Sequence, residues 1–276
     1  VYGMVFGIAS IPRSLWLALR IGLVAYGTLF AYALLISDRQ IYLPPERSLP
    51  VLSGGLTLET ASGTTISVLY WPAETDQAQT ILYSHGNAED LFALQNTLAG
   101  FQDRGYGVLA YDYPGYGQSE GKPSERGVYE AIDAAYQYLT IVEDIPTEQI
   151  LVYGRSLGGG PSVDLVSRQP VGGLILEATF VSIYRVVTRI PLLPIDKFLN
   201  LAKIPQVDVP LLIIHGTEDT TVPFWHGEAL YEAATTTSKH LEVVEGAGHN
   251  DLQAILGDRY WEVIQAFSQE ISESSE

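Results

Sequence analysis

After Asp38 the chain alternates between short apolar runs and stretches with helical spacing, and this alternation most restricts what it can become. The short runs are Ile66–Trp71, Thr80–Ser84, Val108–Tyr111, Ile150–Tyr153, Leu174–Leu176, Leu211–Ile214 and Leu241–Val244. Between them, Leu91–Arg104 has helical spacing and a Gly105 stop, and Ser124–Leu139 has Ser124 as its N-cap. Leu157–Arg168, Phe224–Ala233 and Tyr260–Phe267 read as further helices. Strands this short and apolar are buried on both faces. They predict an α/β fold with a mostly parallel central sheet and helices on both sides.

The region before Asp38 obeys a different rule. Leu15 to Ile36, LWLALRIGLVAYGTLFAYALLI, has Arg20 as its one charged residue. At 1.5 Å per residue such a helix crosses a hydrocarbon core of about 30 Å. Arg20 lies near one end, where its stem reaches the headgroups. Residues 1–40 are therefore expected to be a single-pass membrane anchor. An apolar helix packed on the domain is an alternative. So is a signal peptide cleaved near Ala31-Tyr32-Ala33, although the apolar stretch continues past that point. Arg13 and Arg20 on one side balance Arg39 and Arg47 on the other, so the basic flanks do not orient the span. The strong acidity of the domain beyond the span tilts the expectation towards placing it outside.

That domain is expected to run from 41 to 268. Residues 180–210 interrupt the alternation with Pro191, Pro194, Pro205 and Pro210 among apolar residues. They read as a lid insert or as an ordinary long connection. Residues 269–276 read as a frayed acidic tail. The net charge of −17 repels phosphate backbones, so no nucleic-acid partner is expected. With no cysteine there is no disulfide frame, thiol nucleophile or Cys-based zinc site. No HExxH pair occurs among the five histidines, and no metal or organic cofactor is expected. PGYGQSEGK and GRSLGGG lack the spacing, or the lysine, of a phosphate loop. Nothing in the chain specifies its oligomeric state.

Gly154-Arg155-Ser156-Leu157-Gly158 matches G-x-S-x-G between a predicted strand and a predicted helix. In that setting Ser156 is a candidate nucleophile on a tight bend, where bulky neighbours would clash. A serine hydroxyl needs a base, and the base needs an orienting group. Downstream, PLLIIHGTEDTTVP puts Asp219 just after one strand, and LEVVEGAGHND puts His249 just after another. Open α/β sheets build sites from such loops. Glu177, also after a strand, is an alternative acid. His215 reads as a structural hydrogen-bonding residue, Asp251 as a loop brace, and His226 and His240 lack a partner pattern. An oxyanion hole would use the Leu157 N–H and an N–H from the HGNAED loop. Asn87 supplies it, with Ala88 as the alternative, while His85 shapes the loop.

Six motifs in this order, HGNAED, DYPGYGQSEGKPSE, GRSLGG, LEATF, LLIIHGTEDTTVP and EGAGHND, resemble the α/β-hydrolase superfamily over Ile41–Phe267. The chain is similar to the branch that includes bud-emergence-type hydrolases and membrane-anchored protein depalmitoylases. The apolar segment followed by RQIYLPP fits that branch too. Pro114 stands where arginine is frequent, and LEATF where LESPF is commoner. The resemblance implies an α/β-hydrolase fold. It also implies a Ser156–His249–Asp219 triad and an oxyanion hole from the Asn87 and Leu157 N–H groups. The expected activity is cleavage of an ester or thioester through an acyl-enzyme. The substrate would be a small molecule or carry an acyl chain. A peptidase of the same fold and a non-catalytic binding protein are the rivals.

Overall fold

The computed structural model describes residues 12–35, 37–45, 54–75 and 77–274. Arg47 and residues 275–276 of the expected tail lie outside the described residues. The chain divides into two compact units, Val1–Ile41 and Tyr42–Glu276.

The first unit holds α1 (Arg13–Leu35) and the short α2 (Asp38–Ile41). Over 23 residues α1 is about 35 Å long. Its most apolar window has a mean hydropathy of 1.6, and it is long and apolar enough to cross a membrane. One such N-terminal helix is consistent with a single membrane-spanning anchor.

The second unit is an eight-stranded sheet with helices between its strands. In chain order it contains β1 (Gly55–Glu59), β2 (Thr65–Trp71), β3 (Thr80–Ser84), α3 (Leu91–Gln102), β4 (Gly107–Tyr111) and α4 (Glu125–Gln137). Then come β5 (Ile150–Arg155), α5 (Gly159–Val166), β6 (Gly173–Glu177), α6 (Ile183–Thr188) and α7 (Asn200–Lys203). β7 (Leu211–Gly216), α8 (Trp225–Ala233), β8 (Lys239–Val244), α9 (Leu252–Leu256) and α10 (Asp258–Ser274) complete it. The strand order is β1-β2-β4-β3-β5-β6-β7-β8. β2 is antiparallel to both neighbours, and β4 to β8 run parallel with β3. This is the α/β-hydrolase fold.

Burial explains the strands the sequence predicted. Every residue of β3, β4, β6 and β7 is buried. The Ser124 hydroxyl caps α4 by accepting the Gly127 N–H at 3.1 Å. Three features depart from expectation. β1 was not foreseen, because its residues alternate between exposed and half-buried and lack an apolar run. The helix expected over Leu157–Arg168 begins as a 3-10 turn, Ser156–Gly158, before α5. The tail expected from residue 269 is instead the end of α10, with Ile271 buried. On α10, Tyr260, Trp261, Ile264, Phe267 and Ile271 form a stripe in the core with Tyr83, Phe101 and Tyr153. Glu270 and Glu273 mask the end of that stripe, beyond Phe267, in the sequence.

The 180–210 insert contains α6, α7 and a 3-10 turn, Ile204–Gln206. A cavity of about 520 Å³ lies against it, lined by Val181, Leu193, Ile195, Leu199 and other insert residues. Val187, Ile190 and Leu192 are exposed.

Candidate active site

The loops after β3, β5, β7 and β8 leave the same edge of the parallel sheet, and they carry Asn87, Ser156, Asp219 and His249. At the end of β5, Ser156 has φ of +50°. Such backbone costs a non-glycine residue of order 1–3 kcal/mol, and functional sites are where that strain concentrates. The close approach behind the bend requires glycine. A Cβ on Gly158 would lie 2.0 Å from the Ser84 carbonyl oxygen, and one on Gly154 would lie 2.6 Å from Ser162 Oγ. The Thr179 hydroxyl braces the bend by donating to the Ser156 carbonyl at 2.8 Å.

His249 joins the other two residues. Its Nε2 lies 2.9 Å from Ser156 Oγ and its Nδ1 lies 2.6 Å from Asp219 Oδ2. A carboxylate only accepts, so Nδ1 carries the proton and Nε2 is left to accept from the serine. Asp219 is held from behind as well, its Oδ1 accepting the Thr221 and Val222 N–H groups at 2.8 Å each. Burial alone would raise the Asp219 pKa. The hydrogen bond and charge of His249, with the Val222 N–H, more than offset this and hold it below the ordinary carboxylate value.

The remaining candidates separate cleanly. His215 is buried and its Nε2–H donates to the Val222 carbonyl at 2.8 Å, as its structural reading requires. Asp251 accepts the Gly248 N–H at 2.7 Å and braces the His249 loop. His226 Nδ1 accepts the Val181 N–H at 3.2 Å, and exposed His240 pairs with Glu270 at 2.9 Å. Glu177 faces away from this arrangement. It accepts from Arg155, from the Tyr153 hydroxyl and, at 2.8 Å, from the Tyr260 hydroxyl. Among the described residues, no group of three or more His, Cys, Asp or Glu is placed to hold a metal ion.

The turn carrying Leu157 packs against the loop after β3, since the Gly158 position abuts the Ser84 and His85 carbonyls. In that loop His85 Nδ1–H donates to the Gly86 carbonyl at 2.7 Å, and burial lowers its pKa to about 4, keeping it neutral. Ala88 adopts φ of +58°. The Asn87 carboxamide oxygen accepts the Ala88 N–H at 3.1 Å and the Tyr116 hydroxyl at 2.6 Å.

Arg155 is the residue sequence reasoning passed over. Beside the serine, its guanidinium donates to Glu89, to Glu177 Oε1 at 3.1 Å and to Asn250 Oδ1 at 2.8 Å. It also reaches the His249 carbonyl at 3.4 Å. Glu89 in turn accepts the Gly86 N–H at 2.8 Å. One cation thus ties together the loops after β3 and β8 and the end of β6. Burial works against its charge, but Glu177 and Glu89 outweigh this and raise its pKa. The available signal was an ionic residue between two buried strand ends, which needs paired carboxylates nearby.

Known proteins resemble this chain in sequence and in fold. Residues 75–202 match the family model for serine aminopeptidase, S33, and residues 189–269 match that for the prolyl oligopeptidase family. Human α/β hydrolase domain-containing protein 17B is 39% identical over 217 residues, covering 77% of this chain and 74% of that protein. Human protein 17C is 37% identical over 241 residues, covering 86% and 72%. The α/β hydrolase domain-containing protein aho-3 of Caenorhabditis elegans is 41% identical over 191 residues, covering 68% of this chain but 57% of that longer protein. Among solved structures, the Pyrococcus furiosus esterase Pf2001 superposes with a TM-score of 0.71 at 17% identity, covering 83% of this chain and 99% of that one. The esterase RhEst1 from Rhodococcus sp. ECU1013 gives 0.62 at 16% identity, covering 79% and 99%. The chain belongs to the α/β-hydrolase superfamily of serine hydrolases, in the family of α/β hydrolase domain-containing protein 17.

Proposed function

We propose that this serine hydrolase cleaves carboxylic esters or thioesters of acyl-chain substrates through an acyl-enzyme on Ser156. The observation that carries the reading is the pair of hydrogen bonds that His249 makes, 2.9 Å to Ser156 and 2.6 Å to Asp219. Ser156 Oγ attacks the substrate carbonyl while its proton passes to His249 Nε2. Asp219 holds the ring and stabilises the imidazolium. The N–H groups of Asn87 and Leu157 receive the negative oxygen of the tetrahedral intermediate. As that intermediate collapses, the leaving alcohol or thiol takes the proton from His249. Water then gives a proton to His249 and attacks the acyl-enzyme, and Ser156 recovers its proton as the carboxylic acid leaves.

An acyl-chain substrate is supported by the apolar insert with its cavity and by α1. Each buried methylene contributes about 0.8 kcal/mol, or roughly fourfold in affinity. Across matched esters and thioesters of increasing chain length, kcat/KM is expected to climb at least tenfold before levelling off. A flat profile would remove the acyl-chain reading and leave the hydrolase chemistry intact. Because both matching family models carry peptidase names, the same panel includes aminoacyl and prolyl amides. Amide turnover comparable with that of the matched esters would replace the esterase reading with a peptidase one.

We further propose that α1 anchors the chain in a bilayer with the catalytic unit outside. The full chain should then stay with membranes through an alkaline wash, and added protease should digest the domain in intact cells. Release by the wash would sink the anchor, and protection from protease the orientation.

A further inference from the structure

Leu43 lies two residues beyond α2, and 54% of its surface is exposed. An N–H on such a residue ordinarily faces water. Here it donates to the Asn87 carboxamide oxygen at 2.9 Å and to the Tyr116 hydroxyl oxygen at 3.1 Å. Tyr116 closes the triangle by donating to that same carboxamide oxygen at 2.6 Å. Its ring is fully buried and packs 5.4 Å from the rings of both His85 and Tyr113. One residue earlier, Tyr42 is buried with its ring edge-on to Phe198 at 6.5 Å. Phe198 in turn presses on the helix behind the serine, where a Cβ on Gly160 would lie 2.3 Å from its ring. Two consecutive residues thus reach both structures that flank Ser156. Leu43 reaches the loop after β3, and Tyr42 reaches the start of α5 through Phe198.

From this geometry we infer that Tyr42 and Leu43 form a positioning strap for the oxyanion loop. The Leu43 N–H fixes the Asn87 side chain, and the side chain, by accepting the Ala88 N–H, fixes the turn of the residue whose own N–H receives the developing oxyanion. The inference rests on the oxyanion role proposed above for Asn87. It also gives the N-terminal segment a catalytic consequence. The residues that join α1 to the domain end on the strap, so the anchor and the oxyanion loop are continuous through the chain.

The test compares variants of the full chain. Leu43→Pro removes the N–H, and its fixed φ suits the extended backbone expected ahead of Pro44. Asn87→Ala removes the acceptor and keeps the main-chain N–H. Each should lower kcat on an ester about ten- to a hundredfold, the scale of a small misplacement of a catalytic group. KM should change by less than about threefold, and fluorophosphonate labelling should slow in step with kcat. The double variant should be no slower than the worse single one, because both remove the same bond. Leu43→Ala keeps the donor and should retain about tenfold more activity than Leu43→Pro, which separates the hydrogen bond from the side chain. Additive losses, wild-type kcat in Leu43→Pro, or equal losses in the alanine and proline variants would each overturn the strap. If Leu43→Pro fails to fold, replacing Leu43 by its α-hydroxy acid, which puts an ester oxygen where the N–H stood, completes the same cycle with Asn87→Ala, with the same additive outcome fatal. Failure of the wild type to label or hydrolyse esters would instead sink the hydrolase reading on which the strap depends.

Discussion

Ser156→Ala should turn over ester substrates about a millionfold more slowly than the wild type, the scale seen when a triad serine is removed. The substitution deletes the one hydroxyl within 2.9 Å of His249 Nε2. No other side chain among the described residues shares that bond. The φ of +50° is imposed by the packing of Gly154 and Gly158, so alanine inherits the same strained backbone and the fold should be retained. Steady-state rates on an activated ester and labelling by a fluorophosphonate probe should vanish together. A variant that keeps even a hundredth of wild-type turnover, with a wild-type circular dichroism spectrum, would rule out the acyl-enzyme on Ser156.

Asp219→Asn should lower kcat about ten-thousandfold, the magnitude known for orienting carboxylates in serine triads. The direction comes from the hydrogen bonds. Asp219 Oδ1 accepts two main-chain N–H groups, so the amide oxygen of asparagine must take that position. Its NH2 then faces His249 Nδ1, which becomes an acceptor. The ring proton moves to Nε2, where it meets Ser156 and blocks proton abstraction. The variant should also lose stability with a defined pH dependence. The Asp219 pKa is lower in the folded chain than its ordinary value near 3.8. Its ionised form therefore stabilises the fold fully above that value, and the contribution fades as pH falls through the folded pKa. Thermal midpoints of wild type and variant should differ at neutral pH and converge in acid. A variant within tenfold of wild-type kcat would remove the orienting role from Asp219.

Which parts of this molecule were readable in advance depends on how local their causes are. The alternation after Asp38 predicts the parallel sheet because burial on both faces leaves a mark inside each strand, as in β3 and β7. Ser156, Asp219 and His249 stood out because each comes just after a strand that could be recognised by itself. The Ser124 cap was readable from its neighbours alone. Arg155 was not, since its partners Glu89, Glu177 and Asn250 are 66, 22 and 95 residues away. The Leu43–Asn87 bond spans 44 residues and uses a main-chain N–H, which no residue type advertises. β1 was missed because half-exposed strands carry little apolar signal. The end of α10 is hidden because Ile271 is its single apolar residue after Phe267 and stands between Glu270 and Glu273.

α10 has a further consequence, one concerned with time. It is synthesised after all eight strands, yet it covers the centre of the sheet. Gln79, just before β3, donates to the Ser268 carbonyl at 3.1 Å across 189 residues of chain. Gly173 opens β6 with no side chain, and a Cβ there would lie 2.5 Å from the Ile271 Cδ1. At the usual 5–20 residues per second, roughly 10 to 40 s separate the emergence of Gln79 from that of Ser268. During that interval α3 alone shields the face of the nascent sheet that it later shares with α10, and a ribosome that stops short of Ile271 releases a chain with part of that core open to water.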